Sequence, residues 1–346
     1  MTTSPERREV AEPLPRRASV PAGAESDTEQ LRLMTRVAWL YHKRGLKQSQ
    51  IADALDLSQS RVSRLLDAAV TQGIVQTTVR VPAGLQLELE YALQEAYGLR
   101  HAEVFEVADA TDEHSLLRDL GQLLAVYLHE QPLDGEVIGF TSWSRTLRET
   151  VRSWDTSPGQ TANFVVELLG DVGTPEVQHE AAEVTRQLAR ITGAQPQFLR
   201  VPGVTASAAV RATLLTHDAH ARETLALHDR LDSALVGIGT CSIDPPLKPG
   251  DNFFTPEQFA YARSLGAVGQ VNLRFIDLAG DAVTSELDDL VIGVTLEQLR
   301  RCGRRIAVAG GPTKYDAIGG AIRGGWINSL ITDVRTAEHL LATASG

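Results

Sequence analysis

The sequence predicts an α/β protein in two parts: an N-terminal winged helix-turn-helix followed by a doubly wound, largely parallel sheet. Three observations carry the prediction. Short helical segments broken by turns fill residues 29–72, branched apolar segments alternate with helical stretches over the rest of the chain, and charge is divided unequally between the two regions. Alternation of the second kind implies strands joined by crossover helices, hence a parallel sheet. Residues 1–82 carry 12 Lys and Arg against 9 Asp and Glu, whereas the remainder carries 21 against 35. The acidic part cannot be a nucleic-acid surface; the mildly basic one can neutralise phosphates.

A length of 346 residues exceeds what one core usually organises, at roughly 100–200 residues per domain. Apolar residues make up 43% and charged residues 22%, which excludes a wholly disordered or collagen-like chain. No apolar run reaches the roughly 18 residues of a membrane span, and residues 1–25 lack the apolar centre of a secretion signal. The cytoplasm is therefore expected, with no membrane partner. Cys241 and Cys302 stand far apart without CxxC spacing, so neither a disulfide nor zinc is expected, and both read as core residues.

Taken in order, residues 1–27 mix Pro, Ala, Arg and Glu without periodicity and read as a disordered tail. A helix-turn-helix domain is expected over 28–82. Residues 29–44 place Leu33, Val37, Leu40 and Tyr41 at helical spacing up to the stop at Gly45. Lys47–Ala54 then reads as a short helix, Asp56-Leu57 as a turn, and Ser58 as the N-cap of a third helix reaching about Gln72. Ile51, Ala52, Leu55, Leu57, Val62, Leu65 and Leu66 supply the wedge between helices. Gln59, Ser60, Arg61, Ser63 and Arg64 are expected to face outward, and with Lys47 and Ser58 they form the candidate DNA-binding set, since Gln and Arg make bidentate contacts to base edges in the major groove. The plainer reading of Arg61 and Arg64 is a solvated face. Ile74–Val81 alternates branched and polar residues and reads as a wing. Residues 83–99 form a linker, in which Leu85, Leu89, Ala92, Leu93 and Ala96 make an apolar stripe able to join protomers.

The stretch LKQSQIADALDLSQSRVSRLLDAAVTQGIVQTTV resembles the DNA-binding module of the SorC family of bacterial sugar-operon regulators. The resemblance continues through FTSWSRTL at Phe140–Leu147, DSALVGIGT at Asp232–Thr240, GAVGQ at Gly266–Gln270, LVIGVTLEQL at Leu290–Leu299, AVAGGPTK at Ala307–Lys314 and LITDVRTA at Leu330–Ala337. It implies operator DNA as one partner, a sugar or sugar-phosphate effector as another, and a homo-oligomer, dimer or tetramer. It also implies a large domain resembling sugar-phosphate isomerases and glucosamine-phosphate deaminase.

In that domain, residues 100–346, strands are expected at Ala102–Val107, Val137–Phe140, Phe164–Leu168, Ala234–Ile238, Val291–Val294, Ile306–Ala309 and Ser329–Ile331, with helices such as Glu176–Thr192 and Leu296–Cys302 between them. Ligands of such sheets bind beyond the carboxyl ends of strands, so three loops are candidates for the effector site. Thr141-Ser142-Trp143-Ser144-Arg145-Thr146 opens a helix with hydroxyls and one guanidinium, suited to an anion, although a simple N-cap needs only one hydroxyl. Gly310-Gly311-Pro312-Thr313-Lys314 offers a lysine in a chain with 29 Arg and only 4 Lys; the resemblance puts this lysine in the effector pocket. Gly237-Ile238-Gly239-Thr240 brings backbone near a ligand. Gly170 and Asp171 are added as a hydroxyl-reading turn. The family pattern has Gly where this chain has Ser144, and a second glycine where it has Asp171.

The alternative is a sugar-phosphate isomerase or deaminase with an accessory DNA-binding module. The resembling deaminases carry a histidine after the GIG segment, whereas Cys241–Pro246 holds no histidine and only Asp244. His217, Asp218 and His220 lack a third ligand for a metal. No catalytic residue, metal or other cofactor is therefore expected.

Overall fold

The computed structural model describes residues 22–75, 85–107, 112–154, 161–243, 247–248 and 252–344. The chain divides into two compact units, Met1–Arg80 and Val81–Gly346.

The first unit is built on three helices, α1 (Ala22–His42), α2 (Gln48–Leu55) and α3 (Gln59–Thr71). Helix α1 starts seven residues before the expected Glu29. Met34, Val37 and Ala38 of α1, Ile51 and Ala52 of α2, and Val62, Leu65, Leu66 and Ala69 of α3 form one buried cluster. Tyr41 is exposed, and Leu33 and Leu40 are only half-buried, so the inward face of α1 is rotated from the one expected. The turn after α2 is made by Asp56 in the left-handed region (φ 50°, ψ 50°), a conformation short polar side chains tolerate. Ser58 then caps α3, its hydroxyl accepting from the Arg61 N–H at 3.3 Å. Ile74 and Val75 pack on the cluster; residues 76–81 of the expected wing lie outside the described residues, as does the 1–21 part of the tail.

The second unit is organised by a seven-stranded sheet: β1 (His101–Phe105), β2 (Val137–Phe140), β3 (Phe164–Glu167), β4 (Gln195–Gln197), β5 (Ser233–Val236), β9 (Arg304–Val308) and β10 (Ser329–Asp333). Their order is β1-β10-β9-β5-β2-β3-β4, and every pairing is parallel. Helices α4 (Leu87–Tyr97), α5 (Glu113–His129), α6 (Arg145–Ser153), α7 (Pro175–Thr192), α8 (Ala208–His217), α9 (Ala219–Leu227), α10 (Pro256–Ser264), α11 (Leu296–Arg301), α12 (Tyr315–Arg323) and α13 (Val334–Ala344) surround it. Alternate strand residues serve opposite layers, as the pleat requires. Val166, Ala234, Val236, Ala307 and Leu330 join the cluster of α4, α11, α12 and α13. Ile138, Phe140, Val165, Leu235, Ile306, Val308 and Ile331 join that of α5, α6 and α7.

Three expectations need correction. Val291–Val294 is not a strand of the sheet; Val291, Ile292 and Val294 are buried, but the segment makes only isolated bridges, Gly293 to Leu169 and Val291 to Val204. Ile238–Thr240 is not a loop but β6, which pairs antiparallel with β7 (Ala267–Val271), itself paired with β8 (Arg274–Asp277). The apolar stripe of α4 is largely spent inside its own unit, where Leu93 and Leu89 pack on the core beside Leu340 and Tyr97 donates to the Leu340 carbonyl at 2.5 Å.

The chain runs outward from β2 through β3 to β4, then returns to β5 and runs the other way through β9 to β10. The reversal falls between β2 and β5, where a doubly wound sheet opens a crevice at its carboxyl edge.

Candidate functional site

At that crevice β2 ends in Phe140 and the chain turns through Thr141 and Ser142, both buried. The Thr141 N–H donates to Leu235 O at 3.1 Å, and its hydroxyl donates to Asn272 Oδ1 at 2.8 Å. Ser144 then caps α6, its hydroxyl accepting from the Leu147 N–H at 3.5 Å. Its φ of −67° suits any residue, so the departure from the family's glycine brings no strain. Instead the serine approaches Gly237 beyond β5: a Cβ added there would lie 3.0 Å from Ser144 Oγ, so a side chain at 237 would press on the serine.

From the next strand, β9, the Gly310-Gly311 turn leads into a short 3₁₀ turn, Pro312–Lys314. Gly311 has φ 91°, and its N–H is taken by Asp333 Oδ2 at 3.1 Å and Thr336 Oγ1 at 3.0 Å. Asp333, buried at the end of β10, also accepts from the Thr336 N–H and hydroxyl. The turn so held presents Lys314, whose ammonium donates to Ile238 O at 3.0 Å.

These loops enclose a cleft of about 690 Å³, counting its open mouth. Of the candidate residues, Thr141, Trp143, Ser144, Arg145, Thr146, Gly237, Ile238, Gly239 and Lys314 line it together. Ser142, Thr240, Gly310 and Gly311 are not in its lining, nor are Gly170 and Asp171. Gly170 is packed against the Val201–Gly203 backbone, and Asp171 accepts from Arg200 at 2.7 Å. Arg200 also reaches the buried Glu167 at 2.6 Å. Burial pushes the Asp171 carboxyl up to about 6, with Arg200 opposing and Glu167 adding to the shift.

Lining residues that sequence reasoning missed include Arg148, Gln270, Ser242 and Phe253. Arg148 sits one helical turn beyond Ser144 and Gln270 closes the GAVGQ segment, so both had a positional signal; Phe253, Leu247 and Val177 had none. Three cations, Arg145, Arg148 and Lys314, line the cleft and no carboxylate does, among the described residues. Arg145 and Arg148 each meet an acid outside that lining, Glu113 and Glu180, both at 2.5 Å. Such a site favours an anion.

Histidine chemistry is absent from the lining described. His228 is buried elsewhere, with Nε2 2.9 Å from Glu167 O, and burial lowers it to about 4. Asp218 caps α9 through the Ala221 N–H at 2.9 Å, and the described residues contain no group of three metal-ligating side chains.

In the first unit, Lys47, Ser58, Gln59, Ser60, Arg61 and Arg64 are all exposed, while Ser63 is half-buried beside Val62. Ser63 is thus turned partly inward, contrary to expectation. Arg64 Nε donates to Ser60 O at 3.3 Å, one turn back along the exposed start of α3.

Residues 81–342 match the model of the Sugar-bind family, a sugar-binding domain. The chain is 33% identical over 316 residues to the deoxyribonucleoside regulator of Bacillus subtilis, covering 91% of this chain and 99% of that one. It is 28% identical over 319 residues to the sorbitol operon regulator of Klebsiella pneumoniae, with 91% and 99% covered. The crystal structure of full-length SorC from that organism superposes with a TM-score of 0.68 at 28% identity, over 90% of this chain and 99% of the other.

Proposed function

The chain belongs to the SorC family of sugar-binding transcriptional regulators, and from that premise we propose that it regulates a carbohydrate-metabolism operon by binding operator DNA under the control of a phosphorylated sugar or polyol. On this reading α1–α3, with the segment that follows, form a winged helix-turn-helix. Gln59, Arg61 and Arg64 read base edges, while Lys47 meets the phosphate backbone. The effector's phosphate sits among Ser144, Arg145 and Lys314. The observation that carries the effector half is the cleft at the strand-order reversal, with three cations and no carboxylate among the described residues of its lining.

The relatives' names, sorbitol operon regulator and deoxyribonucleoside regulator, support a sugar or polyol as the class of effector. A regulator also accounts for a cleft whose described lining holds no imidazole or carboxylate to move a proton, which an isomerase or deaminase would need. The protein works in the cytoplasm as a dimer or tetramer, since one helix-turn-helix touches few bases and paired modules read two half-sites. None of its described helices is long and apolar enough to cross a membrane.

The test is selection of binding sites from random duplex DNA by the purified chain, followed by titration with phosphorylated sugars and polyols. A selected sequence whose affinity shifts with one of them supports the proposal. Binding without sequence preference would remove the operator-reading role, and indifference to every phosphorylated compound would remove the effector role.

A further inference from the structure

Six buried side-chain nitrogens have no hydrogen-bond partner among the described residues: Trp143 Nε1, Arg148 Nε, Trp154 Nε1, His228 Nδ1, Asn272 Nδ2 and Arg305 Nε. Unmade buried donors are costly, so their position is informative. Trp154 lies in the apolar layer of α5 to α7, away from the cleft. Trp143 and Arg148 differ, because both line the cationic cleft. Asn272, in turn, holds the hydroxyl of Thr141, another lining residue, at 2.8 Å.

Both side chains are fixed by contacts that leave the donor unused. Arg148 is anchored through its terminal nitrogen to Glu180 Oε2 at 2.5 Å. Trp143 is packed edge-on against Phe253, with ring centroids 5.8 Å apart and planes at 70°. An indole N–H and a guanidinium Nε–H can only donate, so the partner that neither has among the described residues is an acceptor oxygen. The indole also offers an apolar face beside Phe253, Leu247 and Val177, suited to the C–H face of a sugar.

We propose that Trp143 and Arg148 form a second subsite of the cleft that reads a hydroxyl or carbonyl oxygen of the effector other than those of its phosphate, with Trp143 as a specificity-determining residue. This rests on the reading of the cleft as a sugar-phosphate site. It makes the effector a compound held at two places, one by its charge and one by an acceptor oxygen on its carbon skeleton.

The test is isothermal titration of the full chain with inorganic phosphate and with pentose and hexose phosphates, each beside a deoxy analogue. Trp143→Phe keeps a ring against Phe253 and removes the N–H; Arg148→Lys keeps a charge beside Glu180 and removes Nε. Trp143→Phe should bind the tightest sugar phosphate about 2- to 12-fold more weakly, the size of one neutral hydrogen bond, and Arg148→Lys about 10- to 150-fold, the size of one to a charged group, with inorganic phosphate unaffected by the first and weakened less than the sugar phosphate by the second. The deoxy analogue lacking the oxygen read here should bind wild type and Trp143→Phe equally. Unchanged sugar-phosphate affinity in both variants, or an equal loss for inorganic phosphate, overturns the subsite. Should Trp143→Phe lose its fold by circular dichroism, Arg148→Lys decides. A wild-type chain that binds inorganic phosphate as tightly as any sugar phosphate overturns the subsite while the anion site stands. One that binds neither removes the reading of the cleft, and the subsite with it.

Discussion

Lys314 is where the chemistry of a single residue is sharpest, because a compact ammonium behind a rigid turn is a point-charge partner for phosphate. Lys314→Ala should weaken effector binding by roughly 1.5–3 kcal/mol, about 10- to 150-fold, while operator affinity without effector is retained. Arg145→Ala should act similarly, and the double variant should lose less than the sum if both hold one phosphate. Full effector response by Lys314→Ala in an operator titration would place the phosphate elsewhere. His228 gives a second prediction, in stability. Burial lowers it from 6.5 to about 4 in the folded chain, so below pH 6.5 the unfolded chain binds the proton that the folded one refuses. Folding stability that is complete above pH 6.5 is therefore lost as pH falls towards 4. Asp171, raised to about 6, acts with the opposite sign in an overlapping window, so the informative quantity is the difference from His228→Gln. That variant should flatten the fall between pH 6.5 and 4 in urea denaturation; parallel profiles would count against it.

Among the elements, α3 and the β9–β10 edge make separate demands. The start of α3 is exposed and capped by Ser58, so its side chains can enter a groove without disturbing the cluster beneath them. Gln59→Ala and Arg61→Ala should each cost about 1–3 kcal/mol of operator affinity and relax preference at the base pairs they touch. Lys47→Ala should weaken specific and random DNA alike and lower the salt slope by about one unit. Unchanged affinity in both α3 variants, by fluorescence anisotropy, would show that this helix does not read DNA. At the other unit, Asp333 at the end of β10 accepts, together with Thr336 Oγ1, from the Gly311 N–H of the turn carrying Lys314. Asp333→Ala strands buried donors, so the chain should lose about 1–3 kcal/mol of stability and bind effector more weakly as the turn loosens. A variant destabilised to that degree but with wild-type effector affinity would show that the turn is held by other contacts.

For the whole molecule, an effector changes DNA affinity only through its different affinity for two states of the chain. Cleft variants and α3 variants should therefore fail independently: the former lose the response and keep the operator, the latter lose the operator and keep the ligand. A ligand at 100 times its Kd should raise the stability of the effector unit by about 2.7 kcal/mol, readable by thermal shift even when α3 is disabled. Assembly is the remaining expectation at this scale. With Leu89 and Leu93 of α4 used within their own unit, the stripe keeps Leu85 and Ala96 exposed and Ala92 half-buried, and Tyr91 is exposed as well. A strictly monomeric species at micromolar concentration, by light scattering, would remove the proposal that paired modules read two half-sites.

What the sequence determined by itself was set by short-range rules. Helical spacing, the capping Ser58 and the glycine stops specify the helices of the first unit, and buried branched runs specify β2, β5, β9 and β10 to within a residue or two. The Thr141–Thr146 and Gly310–Lys314 loops were legible because polar residues stand directly after such runs. What only the tertiary structure decided depends on residues distant in the chain. The inward turn of Ser63 and the rotated face of α1 follow from how the three helices cross. Val291–Val294 has the composition of a strand yet makes only isolated bridges to Leu169 and Val204, and the GIG segment pairs with β7 because that hairpin lies alongside it. Asp171 was drawn to Arg200, 29 positions away, since a half-buried carboxylate needs a cation. Arg148, Gln270 and Phe253 reach one cleft from three segments, and only the order of the strands brings those segments together.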